Sequence, residues 1–178
     1  MKQLLISFLA FLIVVNARSQ NKNISSVIKQ ADGFVILKDA KIQPDPKKTY
    51  KAIYDATKNS KDSSQILPAL NMAGSELNAL GVCGIPLNHA KFVIVFHGAA
   101  INGILDNDHY IKKYGIDNPN LDVLHELKKV GVLLFVCGQN LVAENIKPNT
   151  ISKDVTIASD ALIVLMTYQN EGYALMSF

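Results

Sequence analysis

Two cysteines and four histidines carry most of the reactive chemistry this sequence offers. Cys137 stands where an unbroken apolar run, Val132 to Val136, meets a segment opening Gly138-Gln139-Asn140 that reads as helix to Asn145. A thiol on such a strand-to-helix turn faces the unpaired N–H groups of the first helical turn, which favour its thiolate. A thiolate can attack, or can carry a second sulfur, with Gly138, Gln139 and Asn140 supplying N–H groups around it. The competing expectation is a buried small hydrophobe, as most free cysteines are. His97 closes the apolar run Phe92 to Phe96 and is the candidate base, since Cys–His pairing is a common way to activate a thiol. Its alternative is a histidine merely hydrogen-bonded at a strand end. Asn102, in the segment that follows, is expected to line the same mouth. His109 is expected to be exposed there, and His89 and His125 to lie on the surface. Cys83, in Gly81-Val-Cys83-Gly84, has turn residues on both sides and no helix start behind it. No C-x-x-C, H-x-x-x-H or H-E-x-x-H spacing is present, so no metal is expected. A G-x-G-x-x-G turn and a P-loop are also missing, and no cofactor is expected.

The elements that must position these residues alternate along the chain. Tyr50 to Ala56 reads as a strand, followed by a helix over Gln65 to Leu80 that Gly81 stops. His89 to Phe96 is a second strand, and Asn102 to Asp117 reads as a long polar loop. A helix over Leu121 to Val130 leads into the strand before Cys137. After a turn around Pro148 come a strand at Val155 to Ala158, a helix over Ala161 to Asn170 capped by Asp160, and a last strand from Tyr173. Strands alternating with helices imply an α/β fold. The expectation is a doubly wound, mostly parallel five-stranded sheet with helices on both faces, flavodoxin-like in plan. Ligands of such folds bind outside the carboxyl ends of the strands, where Asp55, His97, Cys137 and Ser159 fall.

Length and composition bound the rest. With 178 residues, nearly half of them hydrophobic, the chain should form one domain with one core. Residues 1–19 carry Lys2, the apolar run Leu4 to Val15 and Ala17-Arg18-Ser19, the pattern of a signal peptide cleaved after Ser19. The apolar run falls short of the roughly 20 residues a bilayer span needs, although an uncleaved anchor is the alternative. The protein is therefore expected to be periplasmic or secreted, with no membrane contact after cleavage. Without Lys2 and Arg18 the chain keeps 16 basic residues against 15 acidic ones, a net charge of +1. It has no basic patch, so nucleic acid is not an expected partner. Residues 20–48 read as a polar N-terminal arm, with a short strand at Gly33 to Leu37 and apolar Phe34, Val35 and Ile36 available to cover a sheet edge or a neighbouring subunit. Residues 49–178 form the domain proper. An oxidising compartment would favour a Cys83–Cys137 disulfide. The two cysteines, however, fall at opposite ends of a parallel sheet, roughly 15–20 Å apart against a limit of about 7 Å, so two free thiols are expected.

Four stretches together, Tyr50-Lys-Ala-Ile-Tyr-Asp55, Phe92-Val-Ile-Val-Phe-His97-Gly98, Gly131-Val-Leu-Leu-Phe-Val-Cys137-Gly-Gln-Asn140-Leu141 and Gln169-Asn-Glu-Gly172-Tyr173, give a chain that resembles the DsrE/DsrF-like sulfur-relay family, in its exported branch. The likeness runs from about Gly33 to Phe178. It implies an α/β fold, assembly into homo-oligomers such as trimers or hexamers, and passage of persulfide sulfur between cysteines of donor and acceptor proteins. Cys137 matches the cysteine that carries sulfur in that family. The resemblance therefore implies a protein that binds or relays sulfane sulfur on Cys137, or senses thiol oxidation there. The alternative, from the residues alone, is a non-catalytic small-ligand-binding or assembly module with Cys137 as packing.

Overall fold

The computed structural model describes residues 27–177. The expected signal peptide, residues 1–19, lies outside the described residues, as do the first residues of the arm. Five strands form one sheet: β1 (Tyr50–Ala56), β2 (Ala90–Phe96), β3 (Leu133–Cys137), β4 (Thr156–Ala158) and β5 (Ala174–Met176). Their order is β4-β3-β2-β1-β5, and every neighbouring pair is parallel. The chain thus steps outward from β1 to β4 and then crosses back to place β5 beside β1. A parallel crossover is right-handed, so reversing the direction of travel moves the connecting helix to the opposite face of the sheet.

That rule accounts for the two cores. Helices α1 (Pro68–Val82), α2 (Asn107–Tyr114), α3 (Leu121–Lys129) and α4 (Gly138–Ala143) connect the outward steps. They share a core with Ala52, Tyr54, Phe92, Ile94, Phe96, Leu134 and Val136 on one sheet face. Helix α5 (Ala161–Asn170) makes the return crossing and, alone among the described helices, packs on the other face, against Ile53, Val93, Val95 and Cys137. The central strands are apolar on both faces because both are covered, as a buried parallel sheet requires. Val93, Ile94 and Val95 have no exposed surface.

Buried amides fix the surroundings. Asn78, wholly buried on α1, accepts from the Ile28 N–H at 3.0 Å and donates to the Ile28 carbonyl at 3.0 Å. This seats Ile28 and Ala31 of the arm in the core, over Gly74, where a Cβ would lie 2.5 Å from the Ala31 Cβ. Asn120 accepts from the Leu67 N–H at 2.7 Å and donates to Asn118 Oδ1, tying the start of α1 to the start of α3.

Two sequence expectations need correction. The stretch 102–117 is not a loop, because a 3₁₀ segment at Gly98–Ile104 is followed by α2. Asp106 caps α2 by accepting from the His109 N–H at 2.8 Å, and Gly115 ends it with φ of +76°. Only Tyr110 of this helix is buried, so it has almost no apolar periodicity to read. Residues 33–37 form a single β-bridge at Phe34 in place of a strand; they pass along the surface, with Phe34 half-buried.

Candidate functional site

The site is built by register. Residues alternate between the two faces of a strand, so Ile53 and Asp55 of β1 share the α5 face, as do Val93 and Val95 of β2 and Phe135 and Cys137 of β3. His97 follows β2 in extended backbone (φ −153°, ψ 179°) and continues that alternation. Phe96 pairs with Val136, so His97 and Cys137 each follow the last paired residues of the two neighbouring strands. The carboxyl ends of β1, β2 and β3 therefore bring Asp55, His97 and Cys137 to one face of the sheet.

His97 Nε2 lies 2.6 Å from Asp55 Oδ1, and each side chain is about one-fifth exposed, at 23% and 22%. Among the described residues no hydrogen bond joins His97 to Cys137. Cys137 is 4% exposed and belongs to the apolar cluster with Ala161, Val164 and Leu165 of α5. Its register partner is Ala158 on β4, and the first turn of α5, capped by Asp160 accepting from the Leu162 N–H at 2.6 Å, begins just beyond.

The turns around this face are held tightly. Cys137 is the N-cap of α4, six residues long. Gly138 is needed for close approach, since a Cβ there would sit 2.7 Å from the Ala158 carbonyl oxygen. Gln139 Nε2 donates to the Ser159 carbonyl at 3.2 Å, joining α4 to the loop before α5. Asn140 uses its side chain, accepting from the Gly98 N–H at 3.1 Å and so tying the turn after β2 to the turn after β3. The His97 N–H donates to Ala56 at 3.0 Å, and the Ala100 N–H to Thr57 at 3.2 Å.

Asn102 sits in the 3₁₀ segment, donating to the Ala99 carbonyl at 2.9 Å and accepting from Lys113 of α2. Its described partners thus link the turn after His97 to α2. His109 is exposed and its Nδ1 lies 2.7 Å from Asp106; the Asp106 carboxyl is raised by desolvation, but the backbone and ring N–H groups of His109 outweigh this and leave it low. His125 Nδ1 lies 3.3 Å from Asp154. Cys83, half-buried at the end of α1, and Cys137 are both free thiols. The Asp55–His97 pairing is the feature that single-residue reading of the sequence leaves out, although both residues stand at the ends of adjacent apolar runs.

A separate cleft of about 510 Å³ opens at the β1–β5 edge on the other face. Helix α5 covers β5 on one face only, and the arm supplies Phe34, Ile42 and Pro44 over the other. Its floor is Tyr54 and Phe92, packed edge to face at 5.4 Å, with Glu76 at the side. Desolvation raises the Glu76 carboxyl. Burial, and then the Glu76 charge, push the Tyr54 hydroxyl up.

Among known proteins, the model of the DsrE/DsrF-like family matches residues 51–178. No curated protein matches the sequence. Among the solved structures that share the fold are these two. One is the protein of unknown function MTH1491 from Methanobacterium thermoautotrophicum, at 16% identity and a TM-score of 0.55, with 72% of this chain and 99% of that chain covered. The other is the ychN protein from E. coli, at 15% identity and a TM-score of 0.52, with 73% and 100% covered.

Proposed function

This chain belongs to the DsrE/DsrF-like family, and from that premise we propose that it binds or relays sulfane sulfur on Cys137. The observation that carries the reading is the placement of Cys137 at the carboxyl end of β3, level with the residue after β2 that bears the Asp55–His97 pair. In a loading step the Cys137 thiolate attacks the outer sulfur of a persulfide donor. The donor's S–S bond breaks, the donor leaves as a thiol, and Cys137 becomes the persulfide. Transfer to an acceptor thiol repeats the step in reverse, so no net oxidant is consumed. Because Cys137 lies under the first turn of α5, loading calls for that turn to lift or for a docking partner to reach it. Sensing of thiol oxidants would use the same access.

Alkylation of the folded protein at mildly acidic pH tests this reading. Labelling of Cys137 at a rate that Cys137→Ser abolishes supports it, and a Cys137 that labels only after unfolding refutes it. We propose further that the protein is exported, with a mature start at Gln20, which N-terminal sequencing of the secreted or periplasmic material checks. Assembly as a trimer or hexamer belongs to the same proposal. Leu162, Ile163 and Met166, more than half exposed on α5, supply apolar surface for it, and a monomer in light scattering at micromolar concentration would remove it.

A second reading, a small-ligand-binding module with Cys137 as packing, is favoured by two observations. They are the 4% exposure of Cys137 and the mostly apolar 510 Å³ cleft, a volume within the range of small-molecule sites.

A further inference from the structure

We propose that Asp55 is the positioning residue of the site: it holds His97 in one tautomer, with Nδ1 left as the proton acceptor for the Cys137 thiol. This rests on the sulfur-carrier reading for its purpose, but not for its geometry. A carboxylate oxygen only accepts, so at 2.6 Å the Nε2 atom of His97 must be the donor. In the neutral ring the other nitrogen, Nδ1, then carries the lone pair. Among the described residues Nδ1 has no hydrogen-bond partner. The bond to Asp55 orients the ring, on a backbone fixed on both sides by the His97 N–H on Ala56 and the Gly98 N–H on Asn140.

The order of groups across the sheet is then Asp55 on β1, His97 after β2 and Cys137 on β3, all on the α5 face. A carboxylate, an imidazole and a thiol set on three consecutive strand ends form an acid–base relay. The thiol proton passes to Nδ1, the thiolate attacks the outer sulfur of a donor persulfide R–S–SH, and the S–S bond of the donor breaks. The proton on Nδ1 goes to the departing R–S⁻, giving R–SH and Cys137–S–SH, and the imidazole returns neutral. Asp55 keeps its charge throughout and stabilises the imidazolium in between, as a carboxylate does behind a catalytic histidine. Asn140 serves the same end at one remove, since its bond to the Gly98 N–H fixes the spacing of the two turns.

Asp55→Asn is the informative variant, because it is isosteric and its amide can donate to Nε2 and so reverse the tautomer. Two readouts are needed. The first is the ¹⁵N spectrum of the His97 ring, assigned by its loss in His97→Gln. The wild type should show the Nε2–H tautomer and Asp55→Asn a shift toward Nδ1–H. The second is the rate at which Cys137 is alkylated by iodoacetamide and loaded by glutathione persulfide. General-base assistance is typically worth about 10²–10⁴-fold, so a loss of at least about tenfold is expected in Asp55→Asn and in His97→Gln. The double variant should be no slower than His97→Gln, as expected when one residue acts through the other. A wild-type ring already in the Nδ1–H tautomer overturns the proposal, as does a reversed tautomer with unchanged thiol rates. If Cys137 takes no persulfide sulfur but its alkylation slows in Asp55→Asn, the relay stands and the sulfur-carrier reading falls.

Discussion

Gly138 is the residue on which the position of Cys137 most directly depends, and Gly138→Ala gives a number to test. The backbone at Gly138 is right-handed, so the substitution meets no φ penalty and acts by contact alone. A Cβ would stand 2.7 Å from the Ala158 carbonyl oxygen, closer than real Cβ atoms come, and its next neighbour is Ile157 Cγ2 at 3.4 Å. The obstacle is backbone of β4, which cannot rotate away as a side chain would. Forcing a methyl group into such a packed site costs about 1–3 kcal/mol. Alanine recovers up to about 1 kcal/mol of that through its better helix propensity at the start of α4. With that offset in full the expected net loss is about 0–2 kcal/mol, and at about 2–4 °C per kcal/mol for a chain of this size Tm should fall by up to about 8 °C. Thermal unfolding followed by circular dichroism reads this directly. Parting β4 from the Cys137 turn should also loosen the cover over the thiol, so alkylation of Cys137 in the folded variant should be faster than in the wild type. A Tm above wild type, or an unchanged Tm with unchanged alkylation, would refute the steric account, and with it the claim that the turn is held against β4.

Other perturbations follow from the same structure. Asn120→Ala removes a 1% exposed amide and leaves the Leu67 N–H without its acceptor, and should cost about 1–3 kcal/mol in denaturant unfolding. Asp106→Ala removes the cap of α2 and should cost about 0.5–2 kcal/mol at neutral pH. Because the Asp106 pKa is lowered on folding, its ionic contribution is present above the ordinary carboxylate range, near pH 4, and fades as pH falls through the lowered value. The stability gap between wild type and Asp106→Asn should therefore narrow in acid. Glu76 has the opposite sign, since its raised pKa means the charged form is disfavoured in the fold. Glu76→Gln should leave Tm unchanged or higher at pH 7, with the difference vanishing once both states are protonated in acid.

What could be read from the sequence is what repeats. The apolar runs of β1, β2 and β3 are long and bounded by polar residues, α1 and α3 follow from periodicity, and α5 from its apolar run after Asp160; Gly131 and Gly172 mark the ends of α3 and α5, whereas α1 runs through the expected stop at Gly81 to Val82. Cys137 at the end of its strand was legible for the same reason. Helix α2 was not, because it rests on a cap at Asp106 and a left-handed Gly115 with a single buried residue between. The side-chain bonds of Asn140 and Gln139 were not legible for a related reason. Their side chains bond to Gly98 and Ser159, residues distant in sequence, and no local pattern announces such bonds. The Asp55–His97 pair needed the strand order and register, which fix β1 beside β2 and set both residues on the α5 face. That α5 stands alone on its face, and so decides access to Cys137, follows from the return crossover to β5, whose position the strand sequence alone does not give.

The most direct test is intact mass spectrometry of the mature protein after incubation with a sulfane sulfur donor, with and without reductant. The account predicts a reducible gain of one sulfur, about 32 Da, that maps to Cys137, survives in Cys83→Ser and disappears in Cys137→Ser. A wild-type protein that gains no sulfur, or gains it only at Cys83, would contradict it.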